Sequence, residues 1–230
     1  MAEQFAVTAG NEEYLEWIYR LSKEKSTVNP LDLARTLKVS PASVTAMLKR
    51  LSAASLIEYQ PYQGITLTER GREIAMRMVR RHALLERLMT DILGLPWEKA
   101  DELACQLEHY VDEEVDERLA TLLGNPTTCP HGRQIDLESP DHTCPLTEVS
   151  LGEEVEIAYV SDERSDLLGY LATLGLRPGV RVRLTHQAPF NGPLTLRVGE
   201  VSHAVGREAA EKVRVHLLPT TADEPASSSE

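Results

Sequence analysis

The first third of the chain has apolar positions that recur with the period of a helix. One such run follows Asn11, whose side chain suits a helix N-cap, and a second follows Pro30. A third run begins after Ser40 and Pro41, a pair that favours a helix start. The pattern predicts three helices, and the inward stripe of the third consists of Val44, Leu48 and Leu51.

The period changes to two in the segment after the third helix. Apolar and polar residues alternate on either side of QPYQG, which predicts a β-hairpin with its turn at residues 61–64. Three helices followed by such a wing indicate a winged helix-turn-helix. The outward face of the third helix is small at its start and basic at its end, as entry into the major groove of DNA requires. The residues expected to contact DNA are Ser40, Ala42, Ser43, Thr45, Lys49, Arg50 and, in the wing, Tyr62.

A longer helical pattern then runs from Thr68, which suits an N-cap, to Gly94, which suits a helix end. Two further helices are predicted between Pro96 and the breakers Gly124 and Pro126. These helices have more apolar surface than a small wing domain can cover, which indicates a homodimer interface. The residues concerned are Leu84, Leu85, Leu88, Ile92, Leu93 and Leu95.

The last third of the chain is of a different kind. Residues 127–147 are rich in proline, aspartate and threonine and are expected to form a loop. Four alternating segments follow, EEVEIAYV, VRVRLTHQ, PLTLRVGEV and KVRVHLL, with the helical stretch SDLLGYLATLGL between the first two. They predict a small β-barrel of the SH3 type. The fold class is therefore α+β, with a winged helix-turn-helix at 1–75, a helical domain at 76–146, an SH3-like domain at 147–218 and a disordered tail at 219–230.

The charge distribution supports a nucleic-acid partner for one part of the chain only. The net charge of −12 argues against DNA binding, because phosphate contacts depend on lysine and arginine. Residues 31–81, however, contain nine basic and four acidic side chains, so this segment has a net charge of +5 and the remainder −17. We therefore expect one domain that binds double-stranded DNA. No run is apolar enough for a secretory signal or a membrane span, and a cytoplasmic protein is expected.

Candidate metal ligands occur on three of the predicted helices. Cys105, Glu108 and His109 are three and four positions apart, so an α-helix would place them on one face. A lone cysteine beside a glutamate and a histidine is more often a buried hydrophobe at a solvated edge. The metal interpretation therefore depends on ligands from elsewhere. Glu13 and Glu16 share a face of the first helix, and His82 and Glu86 share one of the long helix.

A second candidate set lies in the predicted loop. In CPHG, the proline would hold Cys129 and His131 outward on a stiff segment, where Glu86 and an acid from SDERSD could complete a site. Both residues are equally compatible with an ordinary exposed loop. Cys144 and His142 are expected to be structural or solvent-exposed. With an odd count of three cysteines and no secretory signal, we expect free thiols rather than disulfides.

Four motifs follow the winged helix-turn-helix in order: RRHALLERL, ACQLEHYVDEEV, CPHG and, in the barrel, LLGYLATLGLRPG. This order, over nearly the whole chain, resembles the diphtheria-toxin-repressor family of metal-dependent transcription regulators. It is most similar to the manganese-transport-regulator branch with a C-terminal SH3-like, FeoA-like domain. The resemblance implies a homodimer that represses metal uptake genes at a palindromic operator. Metal would tie the first helix to the dimerisation helices and so fix the spacing of the two recognition helices.

The resemblance also implies two metal sites per chain. The primary site would consist of Glu13, Glu16, His82, Cys105, Glu108 and His109. The second would consist of Glu86, Cys129, His131 and Asp166, with Asp162 as the alternative acid. Iron-activated members carry Met at the position of Glu13, so the acid here favours Mn²⁺, whereas the soft Cys105 keeps Fe²⁺ as the alternative. Another branch has His at the position of Asp101, so the ancillary site of that branch is not expected.

Two other functions remain open from the residues themselves. Carboxylates and histidines around an ion also occur in metal-dependent hydrolases, although no catalytic motif accompanies them and a hydrolase would leave the basic winged helix unused. The chain could also be a regulator that binds another effector through the barrel, with the Cys105 face used only for packing. We expect a regulator rather than an enzyme.

Overall fold

The computed structural model describes residues 9–25, 27–60, 64–138, 140–162 and 164–218. The chain divides into two compact units. The first contains Met1–Cys129 and Gln134–Ser139, and the second contains Pro130–Arg133 and Pro140–Glu230. The predicted contact residue Tyr62, residues 61–63 of the predicted hairpin turn and the predicted disordered tail at 219–230 lie outside the described residues.

The first unit begins with three helices, α1 (Ala9–Glu24), α2 (Pro30–Thr36) and α3 (Pro41–Ala53). α2 and α3 each start with a proline, and the side chains of Asn29 and Ser40 accept hydrogen bonds from their first-turn N–H groups. The prediction that Asn11 caps the first helix is wrong. Asn11 lies within α1 and is buried, so its side chain packs inside the domain instead of capping the start of the helix.

The wing is the predicted hairpin of β1 (Ile57–Gln60) and β2 (Gly64–Leu67). The strands are antiparallel, with Ile57 opposite Leu67 and Gln60 opposite Gly64. Helices and wing share one apolar core, so the predicted inward stripe of α3 is confirmed. Its fully buried members include Leu15, Ile18, Leu33, Val44, Leu48, Leu51 and Leu56.

The long helix α4 (Glu69–Arg87) begins as predicted, with the Thr68 hydroxyl accepting from the Gly71 N–H. At Gly71 a Cβ atom would collide with the carbonyl oxygen of Leu56, so only glycine allows α4 to approach the wing this closely. The helix continues as a π-helical turn, Leu88–Ile92, and the chain leaves it through Gly94 at a φ of +67°.

Two more helices complete the first unit, α5 (Trp97–Leu107) and α6 (Glu113–Leu122), with a 3₁₀ turn between them at Glu108–Tyr110. The expectation that Cys105, Glu108 and His109 share one α-helix is wrong in this respect. The α-helix ends at Leu107, and its last turn tightens into the 3₁₀ geometry common at helix ends.

The apolar residues predicted for a dimer surface differ in burial, with Leu88 and Leu95 half-buried. Leu84 and Leu85 are buried, because α5 and α6 pack on α4 and cover them together with Ala104 and Leu119. They therefore belong to the core of this unit rather than to its surface. Ile92 and Leu93 remain exposed and are the part of the predicted surface that a partner could cover.

The second unit is built on an antiparallel sheet with the spatial order β3-β8-β4-β5-β6-β7 among the described residues. The strands are β3 (Cys144–Pro145), β4 (Glu154–Val160), β5 (Arg181–Gln187), β6 (Leu194–Val198), β7 (Val201–Val205) and β8 (Val213–Leu217). Helices α7 (Ser165–Thr173) and α8 (Arg207–Glu211) interrupt them. The four predicted strands and the predicted helix are confirmed, except that PLTLRVGEV ends at Val198 and turns into β7. The expectation of a loop over 127–147 is wrong at its end, because β3 pairs there with β8.

The segment after the CPHG motif returns to the first unit. Leu137 packs against the core of the winged domain. The Glu138 carboxylate accepts hydrogen bonds from Tyr19 Oη at 2.9 Å, Lys23 Nζ at 2.7 Å and Arg72 Nη1 at 2.9 Å. The bonds from Lys23 and Tyr19 lower the pKa of Glu138 to about 2. This segment therefore connects the predicted loop to α1 and α4.

We expect these contacts to make the stability of the first unit fall in acid. The ordinary pKa of a glutamate is 4.5, so the contribution of Glu138 is present above pH 4.5 and disappears as the pH falls to about 2. Because the Glu138 side chain is 45% exposed, the contribution is about 1 kcal/mol. Urea unfolding of wild type and Glu138→Gln at several pH values measures it. The prediction would be contradicted if the two proteins differed equally in unfolding free energy at about pH 6, above this window, and at about pH 2, its lower end. Glu114→Gln is the control, because Glu114 is an exposed glutamate.

Candidate metal centre

Three elements of the first unit place potential ligands at one point. Glu16 on α1, His82 on α4 and Glu108 on the 3₁₀ turn are all buried, and each has a ligand atom within 4.8 Å of those of the other two. His82 Nδ1 lies 2.7 Å from Glu108 Oε2. Glu16 also receives a hydrogen bond from Arg20 Nε at 2.9 Å, which balances part of the buried negative charge. The three predicted ligands thus meet between the winged domain and the helices that follow it.

His82 also belongs to a second group of potential ligands. Its Nε2 lies 3.4 Å from Asp101 Oδ1 and 3.7 Å from Glu86 Oε1, and its Nδ1 lies 4.0 Å from Cys105 Sγ. His82, Asp101 and Cys105 have ligand atoms within 4.8 Å of one another. Asp101 was not among the predicted ligands of this chain, although its position four residues before Cys105 on α5 is a signal that could have identified it.

The electrostatics of this centre favour a cation. Burial lowers the pKa of His82, but Glu86, Asp101, Cys105 and Glu108 outweigh it, and the net pKa lies well above the ordinary value. Burial raises the pKa of Glu108, with His82 opposing the rise. The clustered carboxylates therefore favour the positively charged form of His82.

The donor set fits a divalent metal ion. Imidazole and carboxylate are ligands for Mn²⁺, Fe²⁺ and Zn²⁺, and the thiol of Cys105 adds a softer donor. The pKa of the Cys105 thiol is raised overall, because burial raises it and His82 offsets only part of the rise. His82 Nε2 is buried without a well-formed hydrogen bond, which is unusual for a ring nitrogen and is expected of a ligand atom.

His109 and the acids of α1 are arranged differently from the expectation. His109 Nδ1 lies 3.0 Å from Glu12 Oε2, and its Nε2 lies 3.6 Å from Glu108 Oε1. Glu13 is exposed. Glu13 and His109 both lie outside the ligand clusters found among the described residues, so their roles as ligands stay predictions. Glu12 was missed by the sequence analysis, although it precedes Glu16 by four positions and so shares its face of α1.

A buried ion pair holds the turn that carries Glu108 and His109. Arg81 Nε and Nη2 donate to the Asp116 carboxylate at 2.8 to 2.9 Å, and Arg81 Nη1 donates to the backbone carbonyl of Glu108 at 3.0 Å. Arg81 lies one position before His82 on α4. The same stretch of helix therefore supplies a candidate ligand and the anchor of two others.

The residues predicted for a second site are divided between the two units. Glu86 and Cys129 are buried in the first unit, with ligand atoms within 4.8 Å of each other. His131 and Asp166 belong to the second unit, where the His131 carbonyl accepts from the Val160 N–H and Asp166 lies in the first turn of α7. Asp162, the alternative acid, pairs with Arg164. The second site stays a prediction.

The face of α3 predicted to read DNA is open. Ser40 caps the helix through the Ser43 N–H, and Thr45 Oγ1 donates to the Pro41 carbonyl. These bonds fix the start of the helix. Of the predicted contact residues on α3, Ala42, Ser43, Lys49 and Arg50 are exposed and Thr45 is half-buried. Their role in DNA contact stays a prediction.

Three consecutive segments of the chain match known protein families. Residues 6–65 match the family described as iron dependent repressor, N-terminal DNA binding domain, and residues 68–137 match its metal binding and dimerisation domain. Residues 144–217 match the FeoA domain. The iron-dependent repressor IdeR of Mycobacterium leprae is 32% identical over 224 residues, which cover 90% of this chain and 96% of that protein. The chain belongs to the iron-dependent repressor family.

Solved structures of similar proteins agree with this membership. A manganese-dependent transcriptional repressor in complex with manganese superposes with a TM-score of 0.81 at 27% identity, covering 90% of this chain and all of the other. ScaR with bound Cd²⁺ has a TM-score of 0.76 at 30% identity, covering 90% of this chain and 99% of its own. The resemblance to the diphtheria-toxin-repressor family, the α+β class and the SH3-like C-terminal domain are therefore confirmed.

Family membership also decides between the functions left open. As a member of this family, the protein is a metal-dependent transcriptional repressor with a DNA-binding domain and a dimerisation domain. The relatives are repressors rather than enzymes, so the hydrolase alternative is rejected. Among the described residues there is no helix whose length and apolar character would suit a membrane span.

Proposed function

We propose that this repressor responds to Mn²⁺ and, as a metal-loaded homodimer, binds a palindromic operator of metal uptake genes. The observation that carries the proposal is the meeting of Glu16, His82 and Glu108. Glu16 belongs to a helix whose other face lies in the core of the winged domain, whereas the other two belong to the helices that follow. A single ion bound here would connect the DNA-reading domain with the dimerisation helices.

The residues of the chain explain how metal would control DNA binding. Without metal, carboxylates at the centre repel one another, and protons or Arg20 offset their charge only in part. A bound ion supplies positive charge and directed bonds to these groups. The apolar core already holds α1 against α4, so the ion would add bonds from α1 to the turn after α5. The distance between the recognition helices of a dimer would then be fixed. To convert a mostly incompetent population into a mostly competent one takes about 5.5 kcal/mol of differential binding.

The choice of Mn²⁺ is part of the proposal. The predicted ligands contain three glutamates and two histidines, which suit a hard or borderline ion, and the manganese-dependent repressor is a close match in fold. Fe²⁺ is the alternative, because Cys105 is a soft ligand and because the relative from Mycobacterium leprae is iron-dependent by its name. A second site with Glu86, Cys129, His131 and Asp166 would bind a further ion per chain.

Selection of DNA fragments by the purified protein tests the proposed function. A random double-stranded DNA pool is incubated with the full chain in the presence of Mn²⁺, Fe²⁺ under anaerobic conditions, or a chelator, and retained sequences are read. We expect inverted repeats to be enriched with Mn²⁺ and not with the chelator, because two recognition helices of a dimer read two half-sites. Enrichment of the same sequences in the chelator would contradict the proposal. Enrichment with Fe²⁺ and not with Mn²⁺ would favour the alternative metal.

A further inference from the structure

The imidazole of His109 has a carboxylate on each side. Glu12 Oε2 lies 3.0 Å from its Nδ1, and Glu108 Oε1 lies 3.6 Å from its Nε2. An ionised carboxylate can only accept a hydrogen bond, so Nδ1 carries the hydrogen that is shared with Glu12. In the neutral ring the free lone pair is then on Nε2, the nitrogen that faces Glu108.

We infer that Glu12 is a positioning residue, which holds His109 in the tautomer and orientation that turn Nε2 towards the metal centre. The inference rests on the proposed function, because it requires His109 to be a metal ligand. Glu12 itself would not touch the ion. Histidines that bind metals generally donate their other N–H to a carboxylate or carbonyl, which fixes the ring and makes it a stronger ligand.

The contact between Glu12 and His109 is sheltered enough to orient the ring. The Glu12 side chain is 21% exposed and the His109 side chain 15% exposed. The two residues lie 97 positions apart in the chain, so the bond joins separate elements, the first turn of α1 and the turn after α5. A hydrogen bond to a charged group at such a position is stronger than one on an open surface.

The position of Glu12 on α1 separates it from the acids predicted as ligands. Glu12 and Glu16 are four residues apart, so they lie on one face of the helix, one turn from each other. Glu16 reaches His82 and Glu108, whereas Glu12 reaches His109. One face of α1 therefore contributes a candidate ligand, Glu16, and the hydrogen-bond partner of another, Glu12. Glu13 is exposed on a neighbouring face.

Isothermal titration of the full chain with MnCl₂ tests the inference in wild type, Glu12→Ala and Glu12→Gln. We expect Glu12→Ala to weaken Mn²⁺ binding about 10- to 100-fold, the usual loss when the hydrogen-bond partner of a metal-bound histidine is removed. Glu12→Gln is expected to recover most of the affinity, because its amide oxygen still accepts the bond from Nδ1. Glu117→Ala, on the exposed side of α6, is the control and is expected to bind Mn²⁺ as wild type does.

A double-variant comparison distinguishes positioning from a general structural effect. If Glu12 acts through His109, Glu12→Ala should cause no further loss of affinity when it is combined with His109→Ala. The inference is overturned if the two losses add, or if Glu12→Ala alone binds Mn²⁺ as wild type does. A wild-type chain that binds no Mn²⁺ overturns the inference together with the proposed function. Loss of binding in Glu16→Ala with none in Glu12→Ala overturns the inference and leaves the proposed function standing.

Discussion

His82→Ala is expected to weaken Mn²⁺ binding by more than about 100-fold, since removal of a mere partner of a ligand already costs 10- to 100-fold. His82 belongs to both clusters of the centre: its Nδ1 faces Glu108 and Cys105, and its Nε2 faces Asp101 and Glu86. The substitution therefore removes a candidate ligand and leaves nearby carboxylates without the imidazole that lies between them.

Isothermal titration and operator binding measure this loss in the same samples. The thermal unfolding of the metal-free variant shows that a folded protein is compared. His142→Ala is the matched control, because His142 is exposed and lies in the second unit. This variant is expected to bind Mn²⁺ as wild type does. A folded His82→Ala variant with wild-type affinity for Mn²⁺ would show that the metal binds elsewhere.

Arg81→Ala is expected to destabilise the first unit by about 3 to 5 kcal/mol, the usual cost of removing one member of a buried ion pair. Two nitrogens of Arg81 bind the Asp116 carboxylate, and a third binds the Glu108 carbonyl. Without the guanidinium, Asp116 would be a buried charge with its main partner lost. The turn that carries Glu108 and His109 would also lose its anchor, so metal affinity should fall as well.

Urea unfolding of the metal-free protein measures the first of these effects. Arg118→Ala is the matched control, because Arg118 pairs with Glu114 on the same helix as Asp116 but the two side chains are 77% and 71% exposed. That variant should lose no more than about 0.5 kcal/mol. Arg81→Lys keeps the charge but not the forked geometry and should fall between the two. If Arg81→Ala is as stable as Arg118→Ala, the ion pair does not hold this unit together.

The parts of the fold that were predicted well depend on local signals. Thr68 caps α4 and Ser40 caps α3 through their own first turns, and the four alternating segments form strands. β7 was missed because its strand is defined by pairing with β6, a contact that a short sequence pattern does not contain. The end of α5 at Leu107 was also missed, since the turn after it is held by Arg81 of another helix.

The candidate site was predicted in composition but not in detail. Spacing along a helix favours Glu13 with Glu16 and equally permits Glu12 with Glu16. Which acid meets His109 depends on how α1 lies against the turn after α5, which is a tertiary contact. The same reasoning applies to Asp101, whose place beside His82 follows from the packing of α5 on α4. Sequence spacing therefore restricted the choice to neighbouring positions on each helix, and packing selected the residue among them.

The central claim is that an ion bound at the metal centre controls DNA binding. It is tested most directly by the affinity of the protein for Mn²⁺ with and without operator DNA. Linkage requires that DNA tighten Mn²⁺ binding by the same factor by which Mn²⁺ tightens DNA binding. We predict a tighter Mn²⁺ dissociation constant in the presence of the selected operator and no change with DNA of scrambled sequence. Equal dissociation constants with and without operator would contradict the account.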